Sequence, residues 1–346
     1  MEKLAVGIDI GGTNTKLGLV DIEGNIHAET AFPTSDYPDF DEFVEALHDN
    51  IQNMLSKVSP QIELVGIGIG APMSNNATGT IENAANFAWK GKLPIVSAVK
   101  RYYPSFPVLV TNDANAAAIG EMTYGGAKGM TDFIEVTLGT GVGGGLVANG
   151  RLIYGYDGFA AELGHIMVKE HGRECACGHR GCLEAYASAN GIKRTIFELM
   201  ADSISPSKFR DITFNDLSCE MVTTAALEGD KLAIEAYEHT GMALGKALAY
   251  TVTMTSPEAI FLFGGLAKAG KYILEPTKKY MDEALLPIFR GKVKVMLSEL
   301  QIKSAAILGA SALVWAESKA QTHENGYCTK SIGSTPRTRE KQNTSA

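Results

Sequence analysis

The chain has 346 residues, enough to bury a large core and to form two lobes, and its 45% hydrophobic and 20% charged content is ordinary for a soluble globular protein. A formal net charge of −8 leaves no electrostatic footprint for nucleic acid. No apolar run approaches the roughly 20 residues a bilayer span needs, and a strand pattern starting by about Leu4 leaves no room for a signal peptide, so a cytoplasmic chain with its five cysteines reduced is expected.

In chain order, residues 4–31 read as a strand meander with turns at Gly11-Gly12 and Glu23-Gly24-Asn25. A helix follows over 39–58, where Phe40, Phe43, Val44, Leu47, Ile51, Met54, Leu55 and Val58 recur at helical spacing. Leu64 to Ala71 is a buried strand closed by Pro72, and Val108 to Val110 is another, running into Thr111-Asn112-Asp113. An Ala-rich helix over 114–122 comes next, and a second meander starts near Phe133. A loop-rich, cysteine-bearing segment fills 155–183. Helices are then expected over 184–200 and 231–255, a strand over 259–263, a turn at Gly264-Gly265 and a last helix over 304–318. From about residue 320 to 346 the chain is rich in Thr, Ser, Asn, Gln and Lys with few apolar residues, the composition of a disordered tail. Strands alternating with helices argue an α/β fold. A meander plus crossover helix, given twice, argues two similar lobes with a ligand cleft between them. The expected division is 1–111 for a small first lobe, 112–303 for a large second lobe, and 304–319 for a helix returning to the first.

Two glycine-rich turns carry the most information about function. The first is Asp9-Ile10-Gly11-Gly12-Thr13-Asn14-Thr15-Lys16, and the second is Leu138-Gly139-Thr140-Gly141-Val142-Gly143-Gly144-Gly145. Each joins two apolar strands. Glycine lets the backbone approach a phosphate chain and turn its N–H groups inward, Thr adds hydroxyl donors and Lys16 adds charge. A single turn of this kind is usually only a tight hairpin. Gly139, Gly141 and Gly144 also fit G-x-G-x-x-G, but that dinucleotide fingerprint needs a helix directly after it, and LVANGRLIYG reads as strand. Asp9, an acid at a strand end beside the phosphate site, suits a hydrated Mg²⁺.

His165, Cys175, Cys177 and Cys182 form H-x9-C-x-C-x4-C, with Gly178 and Gly181 supplying tight turns. Three thiolates and an imidazole satisfy tetrahedral Zn²⁺ and leave no open position, so the expected metal is structural. Cys219 and Cys328 fall outside that pattern. Asp113, after a strand and before a helix, reads either as a helix N-cap or as a catalytic carboxylate. Glu162 and Glu184 bracket the cysteine loop, and spacing alone leaves them as surface residues or pocket residues.

The chain resembles the ROK family (repressor, open reading frame, kinase) of bacterial sugar kinases and repressors over roughly residues 4–315. DIGGTNTK looks like that family's first phosphate motif and LGTGVGGG like its second. Glu162-Leu163-Gly164-His165 matches E-x-G-H, and the stretch from Cys175 to Glu184 matches C-x-C-G-x-x-G-C-x-E. Asn112-Asp113-Ala114-Asn115-Ala116 matches the segment that carries the catalytic base, and Phe263-Gly264-Gly265 sits where the adenosine-side motif belongs. The resemblance implies an actin-like fold, ATP and Mg²⁺ in the cleft, and phosphoryl transfer to a hexose hydroxyl, usually O6. By carry-over, Asp113 is the base, and Asp9, Gly11, Gly12, Thr13, Asn14, Lys16, Gly139, Thr140, Gly141, Gly264 and Gly265 hold the nucleotide. Asn86, Asn112, Asp113, Glu162, His165 and Glu184 face the sugar, with one ring nitrogen of His165 on zinc. Asn86-Phe87-Ala88-Trp89 keeps the Asn and Trp of a motif that often carries Pro before Trp. Met73 to Gly79 is a candidate selectivity segment. The resemblance also implies a homodimer. Glucose is the first substrate expectation, N-acetylglucosamine or N-acetylmannosamine the second, and fructose the third. A sugar-responsive regulator is the alternative, but the first phosphate motif begins at Asp9, which leaves no preceding helix-turn-helix. An actin-like ATPase acting on protein conformation is disfavoured by the cysteine element and its flanking glutamates.

Overall fold

The computed structural model describes residues 1–59, 61–84, 87–302 and 305–324. Asn86, Cys328 and all but the first few residues of the expected tail lie outside the described residues. Two five-stranded sheets share one topology. In the first, the antiparallel meander β1 (Glu2–Ile10), β2 (Asn14–Val20), β3 (Ile26–Pro33) is extended beside β1 by parallel β4 (Ile62–Gly70) and β8 (Val108–Thr111), in the order β3-β2-β1-β4-β8. The second repeats this with the meander β9 (Phe133–Leu138), β10 (Val142–Ala148), β11 (Arg151–Leu152) and parallel β12 (Ala259–Phe263) and β13 (Lys294–Leu297), in the order β11-β10-β9-β12-β13. That duplication is the actin-like arrangement. A small sheet, β5 (Ser74–Asn75), β6 (Thr80–Glu82), β7 (Lys92–Leu93), which the sequence reading leaves out, follows β4.

Alternation along β1 sorts its side chains between two layers. Leu4, Val6, Ile8 and Ile10 join a core with Phe43, Leu47 and Ile51 of α1 (Phe40–Ser56), which Asp39 caps by accepting from the N–H groups of Asp41 and Glu42. The short α2 (Ile95–Lys100) packs on α1. Ala5 turns the other way, toward α9 (Ala305–Glu324), and so does Asp9 two pleats on. The last helix lies close on this face because β1 and β4 carry glycine there. A Cβ on Gly68 would sit 1.9 Å from the Ala310 carbonyl oxygen, and one on Gly7 would sit 2.1 Å from that of Ile307. The helix thus returns to the first sheet, and it runs to Glu324, beyond the 318 expected.

The second sheet alternates likewise. Ile134, Val136 and Leu138 face a core with α5 (Ala189–Asp202), α6 (Cys219–Leu227), α7 (Lys231–Thr255) and α8 (Lys271–Ala284). Phe133 and Glu135 face α3 (Asp113–Tyr124), which packs on β9, β10 and α9. Helices α3 and α9 therefore form the middle layer between the sheets. The expected helix over 184–200 is two: α4 (Glu184–Ala187) ends at Ser188, whose backbone is extended and whose hydroxyl caps α5 by accepting from Gly191 N–H at 3.0 Å. No helix among the described residues is long and apolar enough to cross a membrane.

Candidate active site

The carboxyl end of β1, the amino end of α3 and the two glycine turns converge on one cleft of about 960 Å³. Its walls include Asp9, Gly11, Gly12, Asn112, Asp113, Gly139, Thr140, Gly141, Glu162, His165, Glu184 and Gly264. Asp9 and Gly264, 255 positions apart in sequence, thus share one cavity. Thr13, Asn14 and Lys16 lie at the exposed tip and flank of the first turn and are not part of the cavity wall. Lys16 pairs across the strands with Asp9. Gly265 sits behind Gly264, where a Cβ would lie 4.0 Å from Cys219 Sγ.

Asp113 is the first residue of α3, and the capping role belongs to its neighbour: Asn112 Oδ1 accepts from Asn115 N–H at 2.7 Å. Asn112 therefore spends its carbonyl on the helix and keeps its amide donors for the cleft. One oxygen of Asp113, Oδ1, accepts from Ala114 N–H at 2.9 Å. Burial raises the Asp113 carboxyl above the ordinary range, against that backbone bond. Burial, with the Asp113 charge adding to it, pushes Asp9 up to about 6 while Lys16 pulls it down. Glu162 is raised by burial, lowered by His165, and raised again by Asp113 and Glu184. These groups are electrostatically one cluster. Asp9 and Asp113, two carboxyls lining one cleft and coupled electrostatically, suit a divalent cation beside a phosphate chain.

The cysteine loop closes the other side. The donor atoms of His165, Cys175, Cys177 and Cys182 all lie within 4.8 Å of one another. Cys175 Sγ is 3.8 Å from His165 Nδ1, and Cys177 Sγ is 3.7 Å from Cys182 Sγ. A tetrahedron of thiolates bonded at ~2.3 Å has edges of roughly 3.8 Å, so the set fits zinc. The backbone bond from His179 holds the Cys177 thiol down at about 6, which favours the ligating thiolate. Gly178 and Gly181 turn with positive φ as expected. The loop is clamped to the following helices by Arg173, whose guanidinium donates to the carbonyls of Ala185 and Gly191 at 3.0 Å, to Thr195 Oγ1 at 3.0 Å and to Glu198, and stacks 4.7 Å over Tyr186. His165 turns Nδ1 to the cysteines while Nε2 lies 4.0 Å from Glu162 Oε2.

The ROK family model matches residues 5–317. The chain belongs to the ROK family. It is 34% identical to the glucokinase of Halalkalibacterium halodurans over 317 residues, covering 90% of this chain and 95% of that protein. It is 32% identical to the glucokinase of Thermotoga maritima over 317 residues, covering 91% and 98%. The crystal structure of a ROK family glucokinase from Streptomyces griseus in complex with glucose and AMPPNP superposes with a TM-score of 0.74 at 32% identity, covering 90% of this chain and 98% of that one. The actin-like fold of the ROK kinases is thereby the fold of this chain.

The cleft of this ROK protein also holds residues the sequence reading passes over. Thr137 lies on β9 one pleat before the second turn, and Asn190 and Arg194 stand one turn apart on α5. Phe214 adds an aromatic ring 5.5 Å from that of Phe197. The polar pair at i and i+4 beyond the cysteine loop is a signal that periodicity could find. Met73 and Ser74 of the expected selectivity segment do line the cleft, and Asn75 Nδ2 donates to the Asp157 carbonyl at 2.8 Å, fixing that segment to the loop before Glu162. Trp89 is a core residue: its Nε1 donates to the Tyr37 carbonyl at 2.9 Å and it packs on Phe43 and Phe87.

Proposed function

We propose that this chain is an ATP-dependent glucokinase that transfers the γ-phosphoryl group of ATP to the 6-hydroxyl of glucose. The observation that carries this is Asp113: a carboxylate open to the cleft, relieved of capping by Asn112, at the meeting point of both glycine turns and the Glu162, His165, Glu184 group. The glucokinase relatives support the reaction and the hexose, and disfavour the N-acetylhexosamine and regulator alternatives.

In the forward reaction the hexose hydroxyl oxygen attacks the γ-phosphorus, the bond to the β-phosphate oxygen breaks, and ADP leaves. Asp113 takes the hydroxyl proton. Its raised affinity for protons brings it nearer to neutral pH, where a general base works best. The backbone of Gly11, Gly12, Gly139, Thr140 and Gly141 approaches the phosphates, and Lys16 sets a positive charge beside them. Asp9 would hold Mg²⁺, which neutralises phosphate charge when bound. Glu162, Glu184, the Asn112 amide and His165 Nε2 would orient sugar hydroxyls. Zinc held by His165 Nδ1 and the three cysteines would fix the imidazole's orientation and tautomer. The reading takes 1–111 with the C-terminal helix as one lobe and 112–303 as the other, in a cytoplasmic homodimer, which sedimentation at several concentrations tests. Coupled-assay rates over a hexose panel with ATP and Mg²⁺ test the substrate. Glucose is expected to have the highest kcat/KM. No transfer to glucose, or a clear preference for N-acetylmannosamine or N-acetylglucosamine, would overturn the proposal.

A further inference from the structure

We propose that Glu184 is a positioning residue for the nucleotide as well as a hexose contact, because it holds the second glycine turn in place. Val142 N–H points out of the strand ladder and donates to Glu184 Oε2 at 3.1 Å. At the other end of the turn, the Gly139 carbonyl accepts from Ala189 N–H at 2.8 Å. Glu184 begins α4 and Ala189 begins α5, so one short stretch after the cysteine loop grips both ends of the turn. The contact is flush: a Cβ on Gly141 would lie 2.5 Å from Glu184 Oε2. The Val142 carbonyl is closely packed as well, since a Cβ on Gly164 would lie 2.3 Å from its oxygen. Gly164 belongs to the turn that carries Glu162 and His165.

The segments that present hexose-facing groups are therefore the ones that pin the turn. Glu184 Oε2 is committed to Val142, and Oε1 points to the Cys175 side, 3.6 Å from its sulfur. A hexose hydroxyl bonded to this carboxylate fixes the side chain and, one hydrogen bond further, the turn. Hexose and nucleotide binding are then positively coupled, and the coupling is reciprocal. This rests on reading Gly139–Val142 as a phosphate turn.

The test titrates a non-hydrolysable ATP analogue with Mg²⁺ into the full-length, metal-loaded chain, with and without glucose, for wild type and for Glu184→Ala, Glu184→Gln and Glu184→Asp. In wild type, glucose is expected to tighten analogue binding by about fivefold or more. Without glucose, the Ala variant should bind the analogue roughly tenfold more weakly, the scale of one hydrogen bond to a charged group. Asp keeps the charge but is one methylene short of Val142 N–H, so it should show the same loss, and it serves if Ala fails to fold. Gln keeps an oxygen acceptor for Val142, so its analogue affinity should stay near wild type while its glucose KM rises. Melting curves establish that the compared variants are folded. Wild-type analogue affinity in the Asp variant, or no glucose effect in wild type, overturns the proposal. A wild-type chain that binds no analogue at all instead removes the nucleotide reading of the turn.

Discussion

Asp113 and Asn112 are adjacent polar residues at a helix start, and either could cap α3. The cap distance assigns the task to Asn112, which separates structure from chemistry at neighbouring positions. Asp113→Asn is therefore expected to leave stability nearly unchanged, because the cap stays in place. It should lower kcat by roughly 10²–10⁴, the usual loss when a general base is removed. Steady-state rates with glucose beside a thermal melt give the answer. A variant with near wild-type kcat would show that the proton leaves by another route.

Elements decide how close the two halves of the molecule come. Helix α9 lies on the first sheet because Gly68 and Gly7 have no Cβ where the helix carbonyls pass. Gly68→Ala places a methyl 1.9 Å from a backbone oxygen, which no rotamer can relieve. The expected cost is at least the ~1–3 kcal/mol of overpacking, read as a lowered Tm or midpoint of denaturation. An alanine variant as stable as wild type would mean that α9 shifts freely on the sheet. The cysteine loop behaves as a second such element. Its four donors gather within 4.8 Å of one another, and metal analysis of protein purified without added metal is expected to find one zinc per chain. Chelation should lower both Tm and activity, since the loop carries His165 and runs into Glu184. A metal-free preparation with full activity would count against it.

At the scale of the whole molecule, Glu135 sets a pH dependence of stability. It is fully buried on β9, facing α3, and among the described residues neither of its oxygens has a hydrogen-bond partner. Burial, with the nearby Glu121 adding to it, raises its carboxyl well above the ordinary value of 4.5. Glu121, itself buried on α3, accepts from Ser298 Oγ at 2.6 Å and Gly126 N–H at 2.8 Å, tying the middle layer to the end of β13. The folded chain thus keeps Glu135 protonated at a pH where the unfolded chain has lost that proton. Its contribution to stability is fully present below the unfolded value, falls as pH rises through it, and levels off above the folded value. Each unit of the shift costs about 1.4 kcal/mol once both values are passed. Glu135→Gln mimics the protonated form, so melts from pH 5 to pH 9 should show a flatter profile and a higher Tm at the alkaline end. An unchanged profile would mean that Glu135 is ionised in the fold.

Local pattern was enough for much of this architecture. Helix α7 has the bounds its periodicity gives, Lys231–Thr255, and β12 is Ala259–Phe263 as read, because long amphipathic or uniformly apolar runs have one way to be buried. The repeated glycine turns already implied a duplicated fold, and the cysteine spacing singled out four donors that the fold brings within 4.8 Å of one another. Shorter elements such as β5, β6 and β7 leave no pattern in the sequence, since two or three residues carry no period and their pairing comes from partners elsewhere in the chain. Helix α8 is less legible: Pro276 lies inside it, and its burial is settled by packing against α7. Which carboxylates share a site was likewise beyond spacing. Glu162 and Glu184 could each have been surface residues until the fold set them in the cleft with Asp113. Sequence names the groups able to do the chemistry; long-range packing of α3 and α9 between two sheets decides which of them meet.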